Sequence, residues 1–181
     1  MKFTRAQIAD VLIIEPAVCR DHRGFFFESY NEKALRKTGV SIRFCQDNHV
    51  CSTRGVLRGL HYQIAPQAQA KLIRVIRGSI FDVAVDIRKE SPTFGQNVSF
   101  TMTAEDKKTL YIPEGFAHGY LALEENTEVL YKVSDFYAPS LERGILWNDP
   151  SLNIKWPNLG MEYKISERDK KLPHFKSLVA I

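Results

Sequence analysis

The chain has 181 residues, of which 44% are hydrophobic and 25% are charged, ordinary proportions that exclude a disordered or coiled-coil protein and predict one domain. Its 25 basic and 21 acidic residues give a net charge of +4 and form no long run of like charge, so no nucleic-acid partner is expected. No apolar stretch is long enough to cross a membrane and no signal peptide is recognisable, so we expect a cytoplasmic protein without a membrane partner.

The N-terminal arm, residues 1 to about 53, contains one helix signal and all three cysteines. Asn31 is a suitable N-cap, Glu32 follows it, and the pattern ends at Gly39, which predicts a short helix. The cysteines, odd in number and without C-x-x-C spacing, are expected to be reduced and structural, at positions Cys19, Cys45 and Cys51.

Alternating apolar and polar residues predict strands through the middle of the chain. The pattern is clearest in residues 80–87, 98–102 and 129–133, and it is typical of strands with one buried face. Glycine, proline and acidic turn residues separate these segments, which favours a sandwich or barrel of short antiparallel strands. In the tail, Ser166 is a suitable N-cap for a second short helical turn.

The densest polar cluster lies around His61. In a regular strand His61 shares a face with Gln63, and Arg58 joins that face only if the strand bends at Gly59. An arginine there suits a phosphate, although a surface ion pair explains Arg58 equally well. Histidine suits proton abstraction, and the ammonium of Lys71 suits the negative charge that abstraction creates, although a lone histidine is more often structural.

Three further groups of residues are candidates for ligand contacts. His118 follows a proline and glycine turn; because position 63 is Gln, a metal on His61 and His118 would lack its other usual ligands, and no metal is predicted. Tyr131 has the parity of a barrel interior, where core and ligand site overlap. Phe26 suits either a flat ligand ring or a subunit contact, and the run Gln46, Asp47 and Asn48 suits either ligand recognition or a turn.

These clusters resemble the dTDP-4-dehydrorhamnose 3,5-epimerase family of the cupin superfamily over nearly the whole chain. The resemblance is carried by ordered blocks such as D-x-R-G-F-F-F-E at Asp21, G-V-L-R-G-L-H-Y-Q at Gly55, I-P-E-G-F-A-H-G at Ile112 and S-E-R-D at Ser166. It implies an all-β, cupin-type jelly-roll barrel with a few short helices. It also implies inversion of C3 and C5 of dTDP-4-dehydro-6-deoxy-D-glucose to dTDP-4-dehydro-L-rhamnose, without a cofactor.

The resemblance assigns four catalytic roles. His61 is implied as the general base, Asp169 as the carboxylate that orients it, Lys71 as the cation for the enolate and Tyr131 as the acid on the opposite face. Substrate contacts are implied at Arg23, Phe26, Glu28, Gln46, Asn48, Arg58, Lys71, His118, Tyr137, Glu142 and Arg168, with Asp47 included in the same motif. A homodimer is implied in which the N-terminal strands cross to the partner, so that arm residues complete the neighbour's site.

Three other functions compete with this interpretation. An epimerase that inverts only C3 or only C5 of a related nucleotide-linked sugar would use the same base and acid. A metal-dependent cupin oxygenase or isomerase would bind a metal ion and lose activity with a chelator. A non-catalytic sugar-nucleotide binding module would have no need for a base and an acid, so the presence of both favours an enzyme.

Overall fold

A computed structural model describes residues 1–178, most of the secondary structure being antiparallel strand. The helix α1 spans Glu32–Arg36, and two 3-10 turns span Asp169–Lys171 and Phe175–Ser177. The strands are β1 (Lys2–Arg5), β2 (Leu12–Glu15), β3 (Cys19–Asp21), β4 (Gly24–Phe26), β5 (Gln46–Ser52), β6 (Val56–Gln63), β7 (Lys71–Arg77), β8 (Ser79–Asp86), β9 (Asn97–Thr103), β10 (Thr109–Ile112), β11 (Phe116–Ala122), β12 (Thr127–Val133), β13 (Glu142–Gly144) and β14 (Lys164–Ile165).

Two sheets face each other across the main core. Sheet one has the order β1-β2-β10-β7-β12-β5, and sheet two has the order β13-β6-β11-β8-β9, with β14 paired in parallel to β6. Strands β3 and β4 form a separate hairpin in the N-terminal arm. Inward-facing residues of both sheets pack together, among them Ile73, Val75, Ile80, Val98, Phe116 and Val129. The predicted all-β, cupin-type jelly roll is therefore confirmed.

Strand β8 corrects one expectation, because it is buried on both faces rather than one. Ala84 belongs to the core between the sheets, whereas Val83 and Val85 pack outward against Ile145 and Leu152 of the C-terminal segment. The alternation of residues along β8 is as predicted, but the face that carries the polar residues is not exposed to solvent. Asp82, on the same face as Ala84, has no exposed surface. The C-terminal segment covers the outer face of β8, and no pattern within the strand itself predicts this cover.

Both predicted helical turns are present. The side chain of Asn31 accepts a hydrogen bond from the N–H of Ala34, and Leu35 of α1 packs on the outer face of sheet one. In the tail, the Ser166 hydroxyl accepts a hydrogen bond from the N–H of Asp169 at 3.0 Å, which starts the first 3-10 turn.

The cysteines are free thiols with exposed side chains, so they add little to the core. Within residues 1–178, the chain forms no helix with the length and apolar character needed to span a membrane.

Candidate active site

A cavity of about 870 Å³ lies between the two sheets. Its walls follow from strand alternation, because every second residue of a strand points to the same side. Sheet one contributes inward-facing residues of β5, β7 and β12, sheet two contributes those of β6 and β11, and the C-terminal segment closes part of the rim. The polar residues on these walls include Gln46, Asn48, Arg58, His61, Lys71, His118, Tyr131, Tyr137, Glu142, Arg168 and Asp169.

An irregularity at Gly59 brings Arg58 onto the same wall as His61. Against strand β11, the pair His61–His118 is followed by the pair Arg58–Tyr120, so three residue steps on β6 oppose two on β11. Gly59 has a φ of +127°, and a Cβ there would lie 2.5 Å from the Cα of Gly119. The bend that the sequence requires for Arg58 to join His61 is therefore confirmed.

His61 is held by a buried carboxylate. Its Nε2 lies 2.8 Å from Oδ1 of Asp169, and Oδ2 of the same carboxylate accepts the N–H of Gly59 at 3.2 Å. Burial raises the pKa of Asp169, but the hydrogen bonds from His61 and Gly59 outweigh burial, so the net pKa is lowered. An ionised acceptor at Nε2 places the ring hydrogen there and leaves Nδ1 of His61 able to take a proton.

Lys71 reaches the same region from strand β7 of sheet one. Its side chain is buried, and its ammonium donates a hydrogen bond to the backbone oxygen of His61 at 3.2 Å. Burial lowers the pKa of Lys71 to about 8, while the carboxylates of Asp82 and Glu142 oppose that change. Lys71 is therefore mainly a cation at neutral pH, and it lies close to His61.

Tyr131 occupies the wall opposite His61. It lies on β12 of sheet one, between Asn48 and Ile73 of the neighbouring strands, and it packs partly against the main core. Burial raises the pKa of its phenol, and Arg58 opposes that effect. The hydroxyl therefore stays protonated at neutral pH and is available as a proton donor.

A second polar cluster is centred on Glu142. Its Oε2 accepts a hydrogen bond from the Tyr137 hydroxyl at 2.7 Å and pairs with Arg168 at 2.6 Å. Burial raises the pKa of Glu142, but the hydrogen bonds from Tyr137 and Arg168 lower it by a larger amount. The net pKa is lowered, so the carboxylate is ionised. The backbone N–H of Tyr137 donates to the side-chain oxygen of Gln46, which ties β5 to this cluster.

Four of the residues predicted for substrate binding do not line the cavity of this chain. Arg23 pairs with Asp21 on the β3–β4 hairpin, Phe26 is 75% exposed, and Glu28 accepts a hydrogen bond from Asn31. Asp47 lies on the outer face of β5 and pairs with Lys132 at 2.8 Å, because Gln46 and Asn48 on either side of it point inward. Strand alternation thus separates Asp47 from its two neighbours in the motif.

Several residues that line the cavity were not predicted from the sequence. Tyr120 lies two residues after His118 on β11, so both side chains point to the same side of the strand. This spacing is visible in the sequence and could have predicted that Tyr120 lines the cavity. The other missed residues include Tyr163, Lys164 and Ile165, which reach the cavity because β14 pairs in parallel with β6. Parallel pairing between segments this distant leaves no local pattern. Among residues 1–178, no three His, Cys, Asp or Glu side chains are grouped to hold a metal ion.

A jelly roll that holds a histidine–carboxylate pair and a phenol on opposite walls of one cavity has the groups that general acid–base catalysis uses, which fits an isomerase. The chain belongs to the dTDP-4-dehydrorhamnose 3,5-epimerase family, whose model matches residues 5–177.

Known relatives agree with this assignment. The dTDP-4-dehydrorhamnose 3,5-epimerase of Pseudomonas aeruginosa is 55% identical over 172 residues, covering 94% of both chains. A dTDP-6-deoxy-D-glucose-3,5-epimerase from Legionella pneumophila, solved in complex with dTDP-4-keto-L-rhamnose, superposes with a TM-score of 0.94 at 44% identity, covering 98% of this chain and 94% of that one. A 3′-monoepimerase from Streptomyces bikiniensis, solved with dTDP-quinovose, gives a TM-score of 0.89 at 35% identity, covering 96% and 87%.

Proposed function

We propose that this chain inverts C3 and C5 of dTDP-4-dehydro-6-deoxy-D-glucose to give dTDP-4-dehydro-L-rhamnose. The observation that carries the proposal is the placement of His61 on sheet two and Tyr131 on sheet one, across a single cavity. Inversion needs two proton-handling groups on opposite faces of the sugar, because a base that returned its own proton to the same face would restore the starting configuration.

The chemistry begins at a carbon next to the C4 ketone, where the C–H bond is acidic. His61 takes the proton on the ring nitrogen that Asp169 does not hold, and the resulting imidazolium is paired with that carboxylate. The electrons move to the C4 oxygen as an enolate, and the Lys71 ammonium stabilises the charge. Tyr131 then delivers a proton to the opposite face of the same carbon. Once His61 has released its proton to water and Tyr131 has taken one up from water, the same steps are repeated at the second carbon.

The remaining polar lining residues suit the nucleotide part of a dTDP-linked substrate. The guanidinium groups of Arg58 and Arg168 match a diphosphate in charge and geometry. Tyr137 has a half-exposed ring suited to stacking on a base. We propose that Arg23, Phe26 and Glu28 act from the partner in a homodimer, which is supported by their exposure on an arm that leaves them outside the cavity of their own chain.

An epimerase that acts at one carbon only is the second candidate. The Streptomyces bikiniensis protein is called a 3′-monoepimerase and superposes nearly as well as the 3,5-epimerases do. The fold therefore does not separate the two activities. The higher identity to 3,5-epimerases, 55% for the Pseudomonas aeruginosa enzyme against 35%, favours double inversion.

Incubation with the 4-keto-6-deoxyglucose nucleotide in heavy water, followed by NMR, tests the proposal. Deuterium at both C3 and C5 with an L-rhamno product is expected. Deuterium at one carbon would favour the monoepimerase, and deuterium at neither would overturn both candidates. A parallel reaction after dialysis against a chelator is expected to run at the same rate, and loss of activity there would favour the metal-dependent cupin enzyme. A cytoplasmic location and a cofactor-free reaction stay predictions.

A further inference from the structure

A second histidine–carboxylate pair lies in the same interior and has no role in the chemistry described so far. Nε2 of His118 lies 2.8 Å from Oδ2 of Asp82, whose side chain is completely buried. The other oxygen of this carboxylate, Oδ1, is buried and has no hydrogen-bond partner within residues 1–178. A buried carboxylate with so few hydrogen-bond partners destabilises the folded state, and an apolar or amide side chain at this position would destabilise it less.

The position of this pair links it to the base. His118 faces His61 directly across strands β6 and β11, and both rings line the cavity. Each ring is held at Nε2 by a buried aspartate, and in the described part of the chain neither Nδ1 makes a hydrogen bond. The two imidazoles therefore stand side by side with the same nitrogen available to a bound molecule.

Asp82 also acts on the second cation of the cavity. Burial lowers the pKa of Lys71, and the first opposing influence is the Asp82 carboxylate. Asp82 thus accepts a hydrogen bond from His118, and its negative charge favours the protonated form of Lys71. A carboxylate that accepts a hydrogen bond from His118 on sheet two and acts through its charge on Lys71 of sheet one differs from an isolated core carboxylate, which would act on neither.

We propose that Asp82 is a positioning residue for the epimerisation, which holds His118 with Nδ1 towards the sugar so that this ring and Lys71 together stabilise the C4 oxygen as it gains charge. The inference rests on the proposed function. For this step His118 carries a hydrogen on each ring nitrogen, so that it donates one hydrogen bond to Asp82 from Nε2 and one to the C4 oxygen from Nδ1. No proton leaves His118, so the protons removed and returned remain those handled by His61 and Tyr131. The effect is largest in the transition state, where the oxygen carries most charge.

The test is the substitution Asp82→Asn, which keeps the shape and an acceptor for His118 but removes the charge. We expect kcat to fall roughly 10- to 100-fold while KM changes by less than about threefold, since the lost interaction develops in the transition state. Deuterium exchange at C3 and C5 is expected to slow together. Titration with dTDP counts intact sites, so that a loss of folded protein is separated from a loss of rate.

The control is Glu128→Gln, which removes the charge of a carboxylate paired with His49 at 3.0 Å on the outer face of sheet one. This variant is expected to keep the unaltered rate. A second variant, His118→Gln, is expected to lose as much kcat as Asp82→Asn, and the double variant no more than either, because one residue acts through the other. If Asp82→Asn does not fold, His118→Gln alone decides, and an unchanged kcat there overturns the inference.

Failure of this inference is distinguishable from failure of the proposed function. If the unaltered chain exchanges neither proton, the epimerase proposal is wrong. If the unaltered chain exchanges both and Asp82→Asn retains full kcat on a full count of sites, or if the losses from Asp82 and His118 add independently, only the role of Asp82 is wrong.

Discussion

At the scale of single residues, His61 and Tyr131 are expected to fail in different ways when they are altered. His61→Asn removes the base, so exchange and inversion should both fall, by roughly 10²- to 10⁴-fold. Tyr131→Phe leaves the base in place, so His61 can still remove a proton and return deuterium to the same face. We expect NMR in heavy water to show exchange without the L-rhamno product for this variant.

Tyr111→Phe is the matched control for the loss of a phenol hydroxyl. Tyr111 is a buried tyrosine on the outer face of sheet one, away from the cavity lining. Its substitution is expected to leave both exchange and inversion unchanged. Loss of exchange in Tyr131→Phe to the level of His61→Asn would contradict the division of roles.

Lys71 is expected to set the alkaline limit of activity. Its pKa is lowered to about 8 by burial, so the ammonium that stabilises the enolate is lost as the pH rises through that value. The pKa of Tyr131 is raised, so the phenol keeps its proton over the same range. A pH profile of kcat/KM should therefore decline with a midpoint near 8, and the decline in kcat should lie at higher pH because the anionic substrate favours the ammonium.

The charge-conserving variant Lys71→Arg separates this cause from others. A guanidinium does not lose its proton in this range, so the decline near pH 8 should disappear whatever the absolute rate of the variant. A decline with the same midpoint in Lys71→Arg would assign it to another group.

At the scale of elements, the irregular pairing at Gly59 is expected to be indispensable. In Gly59→Ala the added Cβ would meet the Cα of Gly119 at 2.5 Å at a φ of +127°, so either the bulge is lost or β6 and β11 separate. We expect the free energy of unfolding to fall by about 2 kcal/mol or more, measured by chemical denaturation, with activity lost as Arg58 leaves the wall of His61.

Gly24→Ala is the control for backbone conformation alone. Gly24 has nearly the same φ, +125°, but an added Cβ would meet no atom of residues 1–178 within 4 Å. A smaller loss of stability is expected in this variant. Equal losses in the two variants would show that the close approach of β6 to β11 is unimportant.

Strand patterns explain which parts of the site were predictable. The parity of Val129, Tyr131 and Val133 correctly predicts an inward-facing tyrosine, and the glycine at position 59 correctly predicts the bend beside His61. Parity failed where a strand is covered on both sides: the pattern of residues 80–87 predicts a strand with one buried face, but both faces are covered and Asp82 is buried beside His118. The difference arises because alternation reports which residues share a face, but not what covers that face.

At the scale of the whole molecule, the site is assembled from segments far apart in sequence. Asp169 contacts His61 across 108 residues, through a C-terminal segment held by the pairing of β14 with β6. No spacing rule connects these two residues, and only the family resemblance brought them together before the structure did. The cupin-type fold was predictable from strand cadence together with that resemblance, whereas the cover provided by the C-terminal segment on sheet two was not.

The same assembly is expected to extend across two chains, and subunit mixing tests this. Arg23→Ala would remove an arm residue, and His61→Asn would disable a cavity. If the arm of one chain completes the cavity of its partner, a mixed dimer has one site with neither defect and one site with both. Random equimolar mixing should then restore activity to about one quarter of the sites.

A mixture of His61→Asn with Lys71→Met is the control, because both defects lie in the cavity of their own chain and every site in a mixed dimer retains one of them. No activity should return in that mixture. Recovery in the first mixture alone would require the arm to act in trans, since separate, self-sufficient chains gain nothing from each other. If Arg23→Ala is fully active by itself, or if the first mixture stays inactive, the exposed hairpin has another purpose and each cavity binds its substrate with the residues of one chain.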